Sequence, residues 1–192
     1  MMRPLKVLAL SGSLRKASLN TALLTMAAGC APPDLRVNLH RGLGDLPLFN
    51  PDIDGHEPTS VVRLHHAIAS ADAVLIASPE YAHGVSGVMK NALDWMVANG
   101  VFVGKPVVLW NASPRASYAL AALRETLTVM SARLIDEAGL ALLIKPPEAD
   151  SAPVNPEPAA MRRALLALRD CLLGERTGAC SDDVKLAAFA AP

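Results

Sequence analysis

The segment at residues 7–20 constrains the fold more than any other part of the sequence. Residues 7–10 are the apolar run Val-Leu-Ala-Leu, which is typical of a parallel strand covered on both faces. A polar loop follows at once, and Gly12 permits a tight turn within it. Ser18 or Asn20 can then cap the N-terminus of a helix. A strand, a polar loop and a helix in this order are typical of an α/β fold.

This first polar loop carries the donors that would bind a phosphate group. Four side chains offer hydroxyl or amide donors and an arginine adds a planar fork of N–H groups; they are Ser11, Ser13, Ser18, Asn20 and Arg15. The helix N-terminus behind them favours an anion. The two best-known glycine-rich nucleotide motifs do not occur in the sequence, so side chains would hold most of the phosphate. An ordinary loop whose serines only cap the helix is the alternative.

Strands and helices alternate along the rest of the chain. Strand patterns occur at residues 35–39, 73–77, 107–110, 132–135 and 140–144. Helix patterns occur at residues 59–70, after Ser86, after the polar stretch at 111–117 up to about residue 131, and at 159–173. Ser86 can cap the helix that follows it. With right-handed crossovers, we expect a three-layer, doubly wound, parallel five-stranded sheet in the flavodoxin-like order 2-1-3-4-5. We expect one domain at residues 1–174 and a tail at 175–192. Residues 146–158 contain five prolines and are interpreted as a linker.

The expected strand order brings three polar loops together. It puts the ends of strands one and three side by side, where ligands bind in such folds. The second loop, at residues 79–87, follows strand three, and a third, at residues 111–117, follows strand four and contains Ser113. Such a crevice suits a phosphate ligand with a flat ring attached, and FMN fits that description.

The second loop has features suited to the ring. Pro79 ends the strand, Tyr81 supplies a flat side chain, and Gly84 lets the backbone approach a ligand closely. Backbone N–H groups near Glu80 and Tyr81 could bond the pyrimidine oxygens of a flavin and stabilise its reduced state. A nicotinamide donor would stack on the exposed flavin face and leave before the acceptor binds, which predicts a ping-pong reaction.

Residues 42–58 form a long irregular loop, and a loop of this length in a compact domain is usually functional. It carries three apolar side chains that favour burial, those of Leu46, Leu48 and Phe49. Three interpretations of the loop are open. It folds over a ligand, it packs on a second subunit, or it is a surface loop pinned by these side chains.

Charge and cysteine usage exclude several classes of partner. The chain has 18 basic and 18 acidic residues, which gives no support to a nucleic-acid partner or an anionic membrane surface. No apolar run approaches the ~18 residues that a membrane helix needs. The three cysteines, at positions 30, 171 and 180, lack metal-ligand spacing. We therefore expect reduced thiols, a cytoplasmic protein and no metal site.

Three motifs together resemble the NADPH-dependent FMN reductase family, which includes chromate, quinone and azo-dye reductases. They are Gly-Ser-Leu-Arg-Lys-Ala-Ser-Leu-Asn at 12–20, Leu-Pro-Leu-Phe-Asn at 46–50, and Pro-Glu-Tyr at 79–81 followed by Gly-Val-Met-Lys-Asn-Ala-Leu-Asp-Trp at 87–95. The resemblance spans roughly residues 5–145 and is specific, because the motifs occur in the family's order and spacing.

The resemblance implies a flavodoxin-like fold, bound FMN, and two-electron reduction of small acceptors by NAD(P)H in a homodimer or homotetramer. It also implies phosphate contacts from Ser11, Ser13, Arg15, Ser18 and Asn20, and a ring lined by Pro79, Glu80 and Tyr81. We also expect Ala82, Gly84 and Ser113 to contact the cofactor. The chain departs from the family at Ala82, which replaces an asparagine common after Pro-Glu-Tyr and so loses one polar contact at the ring. It departs again at residues 113–117, where many members have a glycine-rich loop; Arg115 there could meet a 2′-phosphate or be solvated.

Two other classes of function share this fold. A flavodoxin-type electron carrier would not oxidise NAD(P)H itself, and such carriers tend to be acidic, whereas this chain is neutral. A regulatory or structural domain that has lost the flavin would not need the first polar loop, which is intact here. We therefore expect an NAD(P)H-dependent reductase.

Overall fold

A parallel sheet forms the centre of the computed structural model, which describes residues 3–53, 55–113, 115–144 and 158–176. The strands within these ranges are β1 (Leu5–Ser11), β2 (Leu35–His40), β3 (Ala73–Ala77), β4 (Glu80–Tyr81), β5 (Gly84–Val85), β6 (Pro106–Asn111), β7 (Arg133–Leu134) and β8 (Leu140–Ala141). The sheet order is β2-β1-β3-β6-β7, with β8 also paired to β6, and all of these pairs are parallel. The order predicted from the sequence is confirmed.

The burial of each strand follows its place in the sheet. All five residues of β3 are buried, as expected for the most apolar strand between two neighbours. In β2, an edge strand, Leu35 and Val37 are buried while Arg36 and Asn38 are exposed. This alternation is typical of a strand with one covered face.

Helices cover both faces of the sheet and produce two hydrophobic cores. The helices are α1 (Leu19–Cys30), α2 (Thr59–Ser70), α3 (Gly87–Val97), α4 (Ser117–Val129) and α5 (Pro158–Arg176). Leu23 of α1 and Leu165 of α5 belong to the core on one face. Ile68 of α2, Leu93 of α3 and Leu127 of α4 belong to the core on the other. This is the three-layer, doubly wound arrangement.

At the last position of the sheet, the segments predicted at residues 132–135 and 140–144 both form strands, each shorter than predicted. Two short strands, β7 and β8, flank a 3₁₀ turn at Asp136–Ala138. The indole N–H of Trp110 donates to the carbonyl of Ala138 at 2.9 Å and holds the turn against β6. After the turn, β8 pairs with β6. The N–H of Leu142 donates to the carbonyl of Asn111 at 2.8 Å, just beyond the last strand residues. The fifth strand is therefore interrupted rather than continuous.

Two segments predicted from the sequence, the linker and the tail, lie largely outside the residues that the structure describes. The predicted linker at 146–158 lies outside the described residues except for its last residue, and the tail from residue 177 lies outside them entirely. Helix α5 continues to Arg176, two residues past the expected end of the domain. The division into a domain and a tail stays a prediction. Within the described ranges, no helix has the length and apolar character that crossing a membrane requires.

The long loop at residues 42–58 is fastened to α3 of its own chain. The carbonyl of Pro47 accepts hydrogen bonds from the indole N–H of Trp95 and the amide of Asn91, both at 2.9 Å. The ring of Phe49 meets the Trp95 ring edge-on, with 5.1 Å between centroids. Leu46 is buried, whereas Leu48 is 85% exposed. Within one chain the loop is thus pinned by some of its apolar side chains, with Leu48 left in solvent. A role over a ligand or against a second subunit stays a prediction.

Candidate functional site

Three polar loops meet at one edge of the sheet, as the strand order predicts. Ser11 at the end of β1 is in register with Ala77 at the end of β3, and Ala77 is in register with Trp110 near the end of β6. Because the strands are parallel, the loops that follow them lie side by side. They enclose a cleft of about 380 Å³, a size within the range of small-molecule sites.

The first loop brings four of its five predicted donors to the cleft: Ser13, Arg15, Ser18 and Asn20. Ser18 is the N-cap of α1, and its hydroxyl accepts the backbone N–H of Thr21 at 3.2 Å. Ser11 is buried behind them and hydrogen-bonds the hydroxyl of Thr21 at 2.7 Å. Ser11 therefore supports the loop from inside, and a phosphate contact from it stays a prediction.

Gly12 is the point at which the first and second loops touch. Its N–H donates to the carbonyl of Ala77 at 2.9 Å, and its carbonyl accepts the hydroxyl of Ser86 at 2.7 Å. The hydroxyls of Ser78 and Ser86 lie 3.2 Å apart beside it. A methyl group at Gly12 would fall 2.8 Å from the Cβ of Ser78 and 2.9 Å from the Oγ of Ser86, well inside contact distance. The two loops are close because residue 12 has no side chain.

The second loop forms a β-hairpin with a two-residue turn, which the sequence did not predict. Tyr81 pairs with Gly84 across the turn, and the two residues between them, Ala82 and His83, have φ values of +48° and +60°. Positive φ at both central positions is the pattern of a type I′ turn, which favours Asn-Gly and strains other residues. Ala82 and Gly84 belong to this turn, and their contacts to a cofactor stay predictions.

The hairpin presents Pro79, Glu80 and Tyr81 to the cleft. Glu80 is the one acidic residue among the described residues that line it, and its carboxylate is engaged. One oxygen accepts the backbone N–H of Ala119 at 2.8 Å, and the other lies 3.4 Å from Nδ1 of His83.

The third loop is shaped by Asn111, the last residue of β6. Its Oδ1 accepts the N–H of Ser113 at 2.9 Å, and its amide donates to the carbonyl of Ala116 at 3.2 Å. Ser113 consequently lines the cleft as predicted, beside the exposed Arg115. Asn111 and Thr21 were not predicted as site-building residues. Each is a polar residue directly at a strand end or in a first helical turn, and that position is the signal that could have identified them.

The donors and charges of the cleft fit a phosphate ester with polyhydroxyl character. Two guanidinium groups, of Arg15 and Arg115, line it, and no carboxylate in the described part of the chain forms an ion pair with either. The side chain of Asn20 is buried there, and its Oδ1 has no hydrogen-bond partner among the described residues. Buried polar atoms are nearly always paired, so Asn20 is suited to receive a ligand hydroxyl. FMN offers both a phosphate and ribityl hydroxyls.

Comparison with known proteins gives one consistent answer. The profile of the family described as NADPH-dependent FMN reductase matches residues 5–142. An NAD(P)H-dependent FMN reductase of Pseudomonas aeruginosa is 39% identical over 135 residues, which is 66% of this chain and 71% of that protein. A quinone reductase of Escherichia coli is 37% identical over 117 residues, which is 59% of this chain and 62% of that protein.

Solved structures agree on the fold. The flavoenzyme FerB of Paracoccus denitrificans, an NAD(P)H:acceptor oxidoreductase, superposes with a TM-score of 0.65 at 28% identity, covering 90% of this chain and 93% of that one. An azoreductase of Bacillus anthracis superposes with a TM-score of 0.53 at 16% identity, covering 90% and 99% of the two chains. The second likeness supports the fold alone.

Proposed function

The chain belongs to the NADPH-dependent FMN reductase family, and from this we propose that it is an NAD(P)H-dependent oxidoreductase that uses FMN to reduce flavins, quinones or other small electron acceptors. The observation that carries the proposal is the meeting of the phosphate-type donors of the first loop with the hairpin of the second in a single cleft. The activities for which the two relatives are named, flavin and quinone reduction, support the same reaction class.

Each end of the cleft has a distinct proposed role. At the β1 end, Ser13, Arg15, Ser18 and Asn20 would hold the phosphate and the ribityl chain. At the β3 and β6 ends, the backbone of Pro79–Tyr81 and the loop at Ser113 would hold the ring. Bound FMN supplies a two-electron carrier, and no side chain of the cleft needs to act as a general base for hydride transfer. Because one open cleft serves both substrates, we propose that nicotinamide and acceptor bind in turn.

Anaerobic addition of NADPH or NADH to the FMN-loaded protein tests the proposal. We expect the yellow absorption of the flavin to bleach rapidly and to return when a quinone is added. In steady state, double-reciprocal plots at several quinone concentrations should be parallel, as a ping-pong reaction requires. A flavin that stays oxidised with both nicotinamides would identify an electron carrier. A protein that remains colourless after FMN is added would identify a domain that has lost the cofactor.

We also propose a homodimer or homotetramer. Large apolar side chains remain in solvent in a single chain: Leu48 is 85% exposed, Val103 is 67% exposed and Val129 is 76% exposed. Val103 and Val129 line the same surface cavity. Contiguous exposed apolar side chains, rather than scattered ones, favour association with another protein surface. Light scattering coupled to size exclusion should give two or four times the 20.2 kDa mass of the chain. A mass of one chain at micromolar concentration would contradict this proposal.

The cytoplasm is the location proposed, because it would keep the thiols of Cys30 and Cys171 reduced.

A further inference from the structure

The carboxylate of Glu80 joins the hairpin of the second loop to the start of α4. We propose that Glu80 is a positioning residue that fixes the ring end of the cleft, an inference that rests on the proposed function. Its Oε2 accepts the N–H of Ala119 at 2.8 Å across 39 residues of sequence, and its side chain is only 14% exposed. The bond therefore links two distant segments in a partly desolvated place.

Helix α4 has no cap of its own. Its N-cap residue is Ala116, whose side chain cannot accept a hydrogen bond. Ala119 is the third residue of the helix, and its N–H is one of those that an N-cap side chain normally satisfies. Glu80 supplies the missing acceptor from another part of the chain. A carboxylate is also the favoured charge at a helix N-terminus.

His83 and Tyr118 add a second contact between the same two elements. Nδ1 of His83 lies 3.4 Å from Oε1 of Glu80. The His83 ring packs edge-on against the ring of Tyr118 in the first turn of α4, with 4.3 Å between centroids. The hairpin is thus attached to α4 twice, by the carboxylate of Glu80 at its open end and by the aromatic pair at its tip.

The hairpin needs this attachment. It has only two residue pairs, Glu80 with Val85 and Tyr81 with Gly84, and an isolated hairpin is marginally stable even when it is longer. Its turn places Ala82 and His83 in left-handed conformations that disfavour side chains. Without an outside anchor, the backbone of Pro79–Tyr81, which lines the cleft, would lose its fixed position. Glu80 supplies the hydrogen bond of that anchor, beside the aromatic pair of His83 and Tyr118.

Affinities of the apoprotein for FMN and for riboflavin, measured by fluorescence titration, separate the two ends of the cleft. Because Glu80 acts at the ring end, Glu80→Ala is expected to weaken both flavins by the same factor, about 10-fold. Glu80→Gln keeps an oxygen that can accept from Ala119 and should recover most of the lost affinity. Glu125→Ala, which removes an exposed carboxylate from the same helix, is the matched control and should bind both flavins as the wild type does.

Three results would overturn the role of Glu80: unchanged affinities in Glu80→Ala, a loss for FMN alone, or a Gln variant as weak as the Ala variant. A thermal melt of each variant checks folding. If Glu80→Ala does not fold, Glu80→Asp, which retracts the carboxylate by one methylene, takes its place and should weaken both flavins. A wild-type protein that binds neither flavin would instead refute the proposed function.

Discussion

Replacing Arg15 with alanine is expected to weaken FMN binding about 10- to 100-fold, the loss that corresponds to one charge-assisted hydrogen bond. Arg15 lines the cleft beside the N-terminus of α1. No carboxylate in the described part of the chain forms an ion pair with it, so its guanidinium does not have to leave a partner to bind a phosphate. Because Arg15 is exposed, water screens part of the interaction and the lower end of the range is the expectation.

Riboflavin separates this effect from damage to the fold. It lacks the phosphate, so Arg15→Ala should leave its affinity unchanged while the affinity for FMN falls. Arg15→Lys keeps the charge without the planar fork and should lie between the two. Arg36→Ala, which removes an exposed arginine from the edge strand β2, should change neither affinity. Equal FMN affinity for Arg15→Ala and the wild type would contradict the assignment of the phosphate site to the first loop.

Replacing Gly12 with alanine should destabilise the whole domain. The added methyl group would overlap Ser78 and lie 2.9 Å from the Oγ of Ser86. Ser86 cannot move aside easily, because it is 2% exposed, caps α3 through the N–H of Met89, and donates to the carbonyl of Gly12. Overpacking of this kind costs about 1–3 kcal/mol. In a domain of this size that corresponds to a melting temperature lower by about 2–12 °C. FMN affinity should fall as well, because the first two loops are forced apart.

Two further variants make the Gly12 prediction specific. Gly29→Ala changes a glycine in α1 that has nothing within 4 Å of the new methyl group, so it should be neutral or slightly stabilising. Adding Ser78→Gly to Gly12→Ala removes the side chain in closest conflict and should recover part of the lost stability. A Gly12→Ala protein that melts with the wild type would show that the loops can separate freely.

Local sequence signals predicted the framework of the site well. The apolar runs gave the buried strands β1 and β3, and Ser18 and Ser86 were both identified as possible helix caps. These predictions succeeded because each depends on a few neighbouring residues. The order of the strands followed from general rules on crossovers, which act on any alternating chain.

The sequence did not reveal contacts between distant segments. The bond from Ala119 to Glu80 spans 39 residues, and that from Trp95 to Pro47 spans 48. The hairpin was missed because Ala82 and His83 replace the Asn-Gly pair that usually marks its turn. The bond from Trp110 to the carbonyl of Ala138 spans 28 residues and holds the turn between β7 and β8. In each case tertiary packing, rather than local preference, decides the structure.

A crystal structure of the protein with FMN tests the central claim most directly. We expect the phosphate to lie among Ser13, Arg15, Ser18 and Asn20, with the flavin ring over the backbone of residues 79–81. An empty cleft in crystals soaked with FMN, or a flavin bound with its phosphate at the Ser113 end, would contradict it.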